Sequence, residues 1–278
     1  MLNMKKLLLV CLLGLATTSC KKIYEETETS VKLKSATVNS PGLSQKVVFT
    51  YNQKGELENA KKYVNNVLET YLEYKYESGV LTSGKSYIKR SGSDGYDLVA
   101  NLTLFYKGKN LTELAIFPVK PGAPSSPTKY VFEYGSGDVP VKFNLVLNNG
   151  SVIDYGYAEI LSFPFEPGSD YRDRWTAGGN TEIPSFQIAY TYEFDTKNNP
   201  LYKLPWIDVV VDNGQISYIF SAPAYFGKNN ATKISMSMIG TPLFSYVSTF
   251  TYLGNNYPSK RSIVQSPGSF TSETTYEY

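Results

Sequence analysis

The chain has 278 residues, 42% of them hydrophobic and 19% charged, enough for one large β domain or two small ones. Its net charge of +2 comes from Lys5 and Lys6 in the first 19 residues; beyond them 25 basic side chains face 25 acidic ones, which leaves no electrostatic case for nucleic acid. Histidine is absent and the only cysteines are Cys11 and Cys20, which excludes Ser-His-Asp and Cys-His catalysis, histidine-based metal sites, zinc sites and a disulfide framework.

Residues 1–19 read as a secretory signal. Lys5 and Lys6 form a basic start, Leu7–Ala16 is an apolar run too short to span a bilayer, and Thr17, Thr18 and Ser19 lead to Cys20. Small residues before a cysteine resemble the lipobox of bacterial lipoproteins, with Thr17 in place of the usual aliphatic residue. The resemblance implies acylation of Cys20, and several acyl chains anchor stably where one is marginal. An ordinary cleaved signal with a chance cysteine is the alternative. Lys21 in place of Asp implies, by the same resemblance, an outer-membrane destination. The acidic cluster Glu25, Glu26 and Glu28 resembles surface-export signals of Bacteroidetes lipoproteins, and a solvated tether explains it equally well.

Residues 20–42 are polar and end at Pro41-Gly42, which reads as a lipidated flexible tether; Val31, Leu33 and Val38 are candidates for a first edge strand. From residue 43 to 278 a unit repeats. Its marker is an aromatic pair: Phe49/Tyr51, Tyr74/Tyr76, Phe105/Tyr106, Phe132/Tyr134, Tyr190/Tyr192, Phe250/Tyr252 and Tyr276/Tyr278. Successive markers lie 25, 30, 28, 58, 60 and 26 residues apart, so the long gaps are doubled short ones. Turn residues follow most markers, such as Asn52–Gly55, Ser78-Gly79 and Asp195–Asn199; Gly, Asn and Asp supply the backbone angles of tight hairpins. A period of 20–30 residues is a hairpin, and the 24 tyrosines suit half-covered sheets. The expected fold is all-β: an antiparallel β-meander of repeated hairpins, an elongated or curved sheet, open, closed or two-lobed.

Two stretches depart from the repeat. Ala60, Tyr63, Val64, Val67, Leu68 and Tyr71 sit at helical spacing, yet Leu68, Thr70, Leu72, Tyr74 and Tyr76 alternate against Glu69, Glu73, Lys75 and Glu77. Two strands around an Asn65-Asn66 turn fit the repeat better. Residues 163–184 are rich in Pro, Gly and charge and read as a long loop, with a sub-division of the domain there.

Tyr190–Pro205 (YTYEFDTKNNPLYKLP), Asn229–Lys233 (NNATK) and Phe250–Arg261 (FTYLGNNYPSKR) together resemble an uncharacterised family of Bacteroidetes lipoproteins with degenerate YD (Rhs-like) repeats, a domain of unknown function. Leu253 and Asn256 depart from that pattern, Asn256 replacing a glycine. The resemblance implies an all-β binding or structural domain of the cell envelope, with no activity to carry over.

The chemistry candidates are few. Glycan cleavage needs two carboxyl groups, and Asp170/Asp173 and Glu193/Asp195 are the local pairs; Asp195 also suits a turn that binds following amides. Asp94 and Asp97 lack the spacing of a calcium loop. Lys260-Arg261 reads as a solvated basic pair. Sugar rings stack on exposed aromatics, which makes Trp175, in the long loop, and Trp206 the candidate ligand-binding residues. No cofactor motif is present. The expectation is a non-enzymatic, lipid-anchored outer-membrane protein displaying a sheet surface to a protein or polysaccharide partner. The alternative is a glycan hydrolase using a carboxylate pair.

Overall fold

The computed structural model describes residues 31–119, 126–135, 137, 140–147, 150, 152–160, 171–176, 187–212, 215–220, 222–238 and 241–278. Within it, β1 (Ser35–Ser40), β2 (Leu43–Tyr51), β3 (Leu57–Val64), β4 (Val67–Glu77), β5 (Val80–Lys89), β6 (Tyr96–Lys107), β7 (Asn110–Pro118), β8 (Thr128–Tyr134), β9 (Pro140–Val146), β10 (Val152–Ile160), β11 (Tyr171–Thr176) and β12 (Gln187–Asn198) follow in order. A short hairpin of β13 (Ile207–Asp212) and β14 (Gln215–Phe220) comes next, then a five-residue helix α1 (Ala222–Phe226). The chain ends with β15 (Asn229–Met238), β16 (Thr241–Tyr252), β17 (Pro258–Ser266) and β18 (Thr271–Glu277).

The alternation of β4 sets the rule for the wall. Thr70, Leu72, Tyr74 and Tyr76 turn inward; Glu69, Tyr71, Glu73, Lys75 and Glu77 turn outward. On β6, Ala100, Leu102, Leu104 and Tyr106 are inward and Asn101, Thr103, Phe105 and Lys107 outward. Every strand apart from β13 and β14 pairs antiparallel with its neighbours, and β1 pairs with both β2 and β18, so sixteen strands close into a barrel. The antiparallel hairpin meander expected from the repeat is the observed fold, and it is closed. Closure explains why β1 is not an edge: its amides and carbonyls are used on both sides, which removes the template for aggregation. The compact unit spans Leu33–Tyr278, and the sub-division expected at 163–184 falls mostly on residues outside the described ones.

The contested stretch is two strands. Asn65 and Asn66 both have positive φ, 47° and 65°, the geometry of a tight hairpin turn between β3 and β4. The long loop is interrupted: β11 crosses residues 171–176 and pairs with β10 and β12, while the flanking 161–170 and 177–186 lie outside the described residues.

The aromatic markers acquire a physical meaning. In four of them, Tyr51, Tyr76, Tyr134 and Tyr278, the last tyrosine bonds the backbone at the start of its own hairpin and ties it shut. Tyr51 donates to the carbonyl of Leu33 at 3.0 Å, Tyr134 to that of Leu111 at 2.7 Å and Tyr278 to that of Pro258 at 2.9 Å. Tyr76 is also bonded to the backbone of Leu57, there as the acceptor. The leucines on these bonds are themselves buried, Leu33, Leu57 and Leu111 at 3% exposure or less. One marker is corrected: Phe105 is exposed, and the inward pair on β6 is Leu104 and Tyr106. Gly84 on β5 is also set by packing, since a Cβ there would lie 2.7 Å from the Glu73 carbonyl and 3.3 Å from Leu102.

A barrel of sixteen strands leaves an aqueous lumen unless something fills it. Here the segment between β12 and β15 does so. Ile207, Val209 and Phe226 pack against Leu72, Leu102, Leu104, Leu114, Phe132 and Phe143 of the wall. Polar contacts fix it: Tyr74 donates to the Pro205 carbonyl at 2.7 Å, and Lys62, inward and buried, pairs with Asp208 at 2.6 Å. Asn199 closes the segment's base, its amide donating to the carbonyls of Ala224 (2.9 Å) and Gly227 (2.8 Å) while its oxygen accepts from Leu201 N–H.

Candidate functional site

The residues of the YEFD and NNATK stretches meet in one hydrogen-bond node. Asp195 accepts from the amides of Lys197 (2.9 Å) and Asn230 (3.1 Å), from the Asn230 side chain, and from the Tyr252 hydroxyl. The turn role expected of Asp195 is present, and it extends to β15 and β16. Burial, then the Asp195 carboxylate, pushes the Tyr252 hydroxyl up from its ordinary value, which keeps it a donor. Asn256 has φ of 65°, the left-handed backbone that favours glycine and that asparagine tolerates. The node is structural. Glu193 faces outward to Lys233 at 2.9 Å, so Glu193 and Asp195 do not converge as a catalytic pair. Asp170 and the side chain of Asp173 lie outside the described residues. Asp97 is held by Arg90, whose guanidinium draws its carboxyl below the usual range, and among the described residues no acidic cluster could hold a metal.

The two tryptophans fare differently. Trp206 is packed against both core clusters, meeting Phe49 edge-on at 6.0 Å, so internal packing and not sugar stacking accounts for its ring. Trp175 lies on β11 and not in a loop, opposite Tyr155 and Ile188; its side chain is outside what is described.

An aromatic surface exists elsewhere, on the outer wall of β4 to β6. Tyr71 stacks on Tyr87 with centroids 4.4 Å apart and 10° between planes, and Tyr96 meets Tyr71 edge-on at 5.3 Å. Tyr87 donates to Glu73 at 3.1 Å and Tyr96 to the Leu68 carbonyl. Lys61 and Lys85 are the register partners of Tyr71 and Glu73. The signal was in the parity: Tyr71 falls in phase with Glu69, Glu73 and Lys75 of β4 and out of phase with Leu72.

The basic pair Lys260-Arg261 is split by the wall. Lys260 is outside, paired with Glu273. Arg261 is inside, contrary to the solvated pair read from the sequence. It shares its parity with Ile263, the outward positions being Lys260 and Val264. Arg261 borders a partly open cavity of about 260 Å3 lined by the filling segment and the wall of β12 and β15–β18.

These features define a class: a closed antiparallel barrel that packs its own insertion against the inner wall and carries charged residues on the outward face of β4. No family model matches the chain, and no curated protein matches it. Among solved structures it is similar to a porin-like protein from Bacteroides uniformis ATCC 8492, at 12% identity and a TM-score of 0.50, over 88% of this chain and 97% of that one. A porin-like protein from Bacteroides vulgatus ATCC 8482 aligns at 10% identity and a TM-score of 0.41, over 89% and 98%. At 12% identity the first likeness speaks to the fold alone.

Proposed function

We propose that this chain is a non-catalytic lipoprotein of the cell envelope, anchored through Cys20, whose barrel stands in water and presents its outer wall to a polysaccharide. The observation that carries the reading is the chemistry of the wall. A membrane barrel needs an apolar outward band about 25 Å tall, and a lysine at mid-bilayer costs about 2–4 kcal/mol. The outward face of β4 alone carries Glu69, Glu73, Lys75 and Glu77. With the lumen packed around Ile207, Val209 and Phe226, the fold supports a scaffold and not a pore. Wild-type protein should fractionate with membranes and require detergent for release, and Cys20→Ala should be soluble and folded. Conductance steps in planar bilayers, or a Cys20→Ala protein that resists carbonate extraction, would overturn the proposal.

The tyrosine cluster is the face we assign to the partner. Tyrosine rings give apolar surface with a polar tip, and Glu73, Lys61 and Lys85 add hydrogen-bonding groups suited to hydroxyls. Affinity electrophoresis through gels cast with envelope polysaccharides should show retardation that Tyr71→Ala and Tyr87→Ala each reduce about tenfold or more, at 1–2 kcal/mol per lost contact. Unchanged retardation in both variants would remove the cluster from the site.

A further inference from the structure

We infer that the lumen is a binding site for a small organic anion, a carboxylate carried on a six-membered ring, with Arg261 as its counter-ion. This site is separate from the outer wall and does not rest on the polysaccharide reading.

Arg261 sits on β17 between Phe250 of β16 and Thr274 of β18. Its Nε and Nη2 donate to Ser248 Oγ at 3.0 and 2.8 Å, its guanidinium carbon lies 5.6 Å from the Phe250 ring centroid, and the Tyr276 hydroxyl is bonded to it. No described carboxylate lies within ion-pair distance of it. Among the described residues, the inward cation Lys62 has Asp208. Asp195 is taken up by Tyr252, Asn230 and the Lys197 amide. A guanidinium carries five N–H donors, and the Ser248 and Tyr276 oxygens cannot satisfy them all. A cation enclosed without an acid is costly to the fold, and burial accordingly pushes the Arg261 guanidinium below its usual value. The cost is relieved when an anion enters.

The cavity selects the body of that anion. At about 260 Å3 it exceeds the roughly 150 Å3 that holds benzene, which leaves room for one ring and a carboxylate but not for an oligosaccharide. Phe194, Phe250 and Tyr276 supply flat apolar lining, and Asn229 a polar edge. A sugar acid and an aromatic acid both satisfy this chemistry.

Isothermal titration of the full chain with sodium benzoate, sodium glucuronate and inorganic phosphate separates the outcomes. One of the two ring carboxylates should bind saturably and phosphate should bind at least about tenfold more weakly; the better ring acid names the source. Arg261→Gln should lose about tenfold or more of that affinity, as expected for a charge-assisted pair. Arg261→Lys keeps the charge and should retain part of it. Ligand-free Arg261→Met should melt higher than wild type, because an unpaired enclosed charge is gone. Absence of saturable binding by either ring acid, equal binding of phosphate, or undiminished affinity in Arg261→Gln would each overturn the inference.

Discussion

Asp195→Ala should melt about 6–12 °C below the wild-type protein, while Glu193→Ala, two residues away on the same strand, should melt within about 1–2 °C of it. Alanine at 195 leaves the Asn230 amide and side chain and the Tyr252 hydroxyl without their acceptor, and Asn230 is only 5% exposed. Orphaned buried donors cost about 1–3 kcal/mol each, so about 3 kcal/mol is expected in total. For a barrel of this size each kcal/mol is worth about 2–4 °C. Glu193 loses only an exposed pair with Lys233, whose worth is within about 0.5 kcal/mol. Thermal melts followed by circular dichroism decide the matter: equal shifts in the two variants would mean that the node does not hold β12, β15 and β16 together.

That contrast bears on how far the sequence could be read. The strand–turn rhythm was legible because Gly, Asn and Asp at turns are local chemistry; Asn65-Asn66 needs nothing beyond its own backbone. The face of each strand was legible in β4, where charge and apolar residues alternate strictly. Closure was not, because the pairing of Ser35 with Glu277 joins residues that share no local pattern. Nor was the filling of the lumen: Trp206 reads as an exposed platform until Phe49 and the insertion are seen to enclose it. Arg261 was misread beside Lys260 for a related reason. Neighbouring strand residues point to opposite faces, so a dibasic pair becomes one outer and one inner charge once the strand is fixed. The leucines whose backbones the tyrosines bond, Leu33, Leu57 and Leu111, repeat at intervals near those of the markers, a signal available in the sequence and weaker than the aromatic one.

The same tyrosines should make the barrel fail in alkali. Burial, with the neighbouring Tyr76 phenol adding to it, pushes Tyr51 and Tyr106 up to about 12, and Tyr74 higher still. Tyr225 and Tyr278 are raised mainly by burial as well. In the unfolded chain these phenols ionise near 10. Below that pH both states hold their protons and the full stability is present. Between about pH 10 and 12 the unfolded chain sheds protons that the folded barrel keeps, so stability falls with each unit of pH. Because these phenols lie on β2, β4, β6, the helix α1 and the chain's last residue, the loss is shared by the wall and the filling segment. Tyrosinate absorbance at 295 nm should therefore rise together with the collapse of the sheet circular dichroism, at a midpoint between about pH 10 and 12. Tyr106→Phe removes one such group and should move that midpoint upward. A smooth titration centred near pH 10 with the sheet signal intact would mean that water reaches these phenols freely and that the inward tyrosines do not seal the hairpin ends.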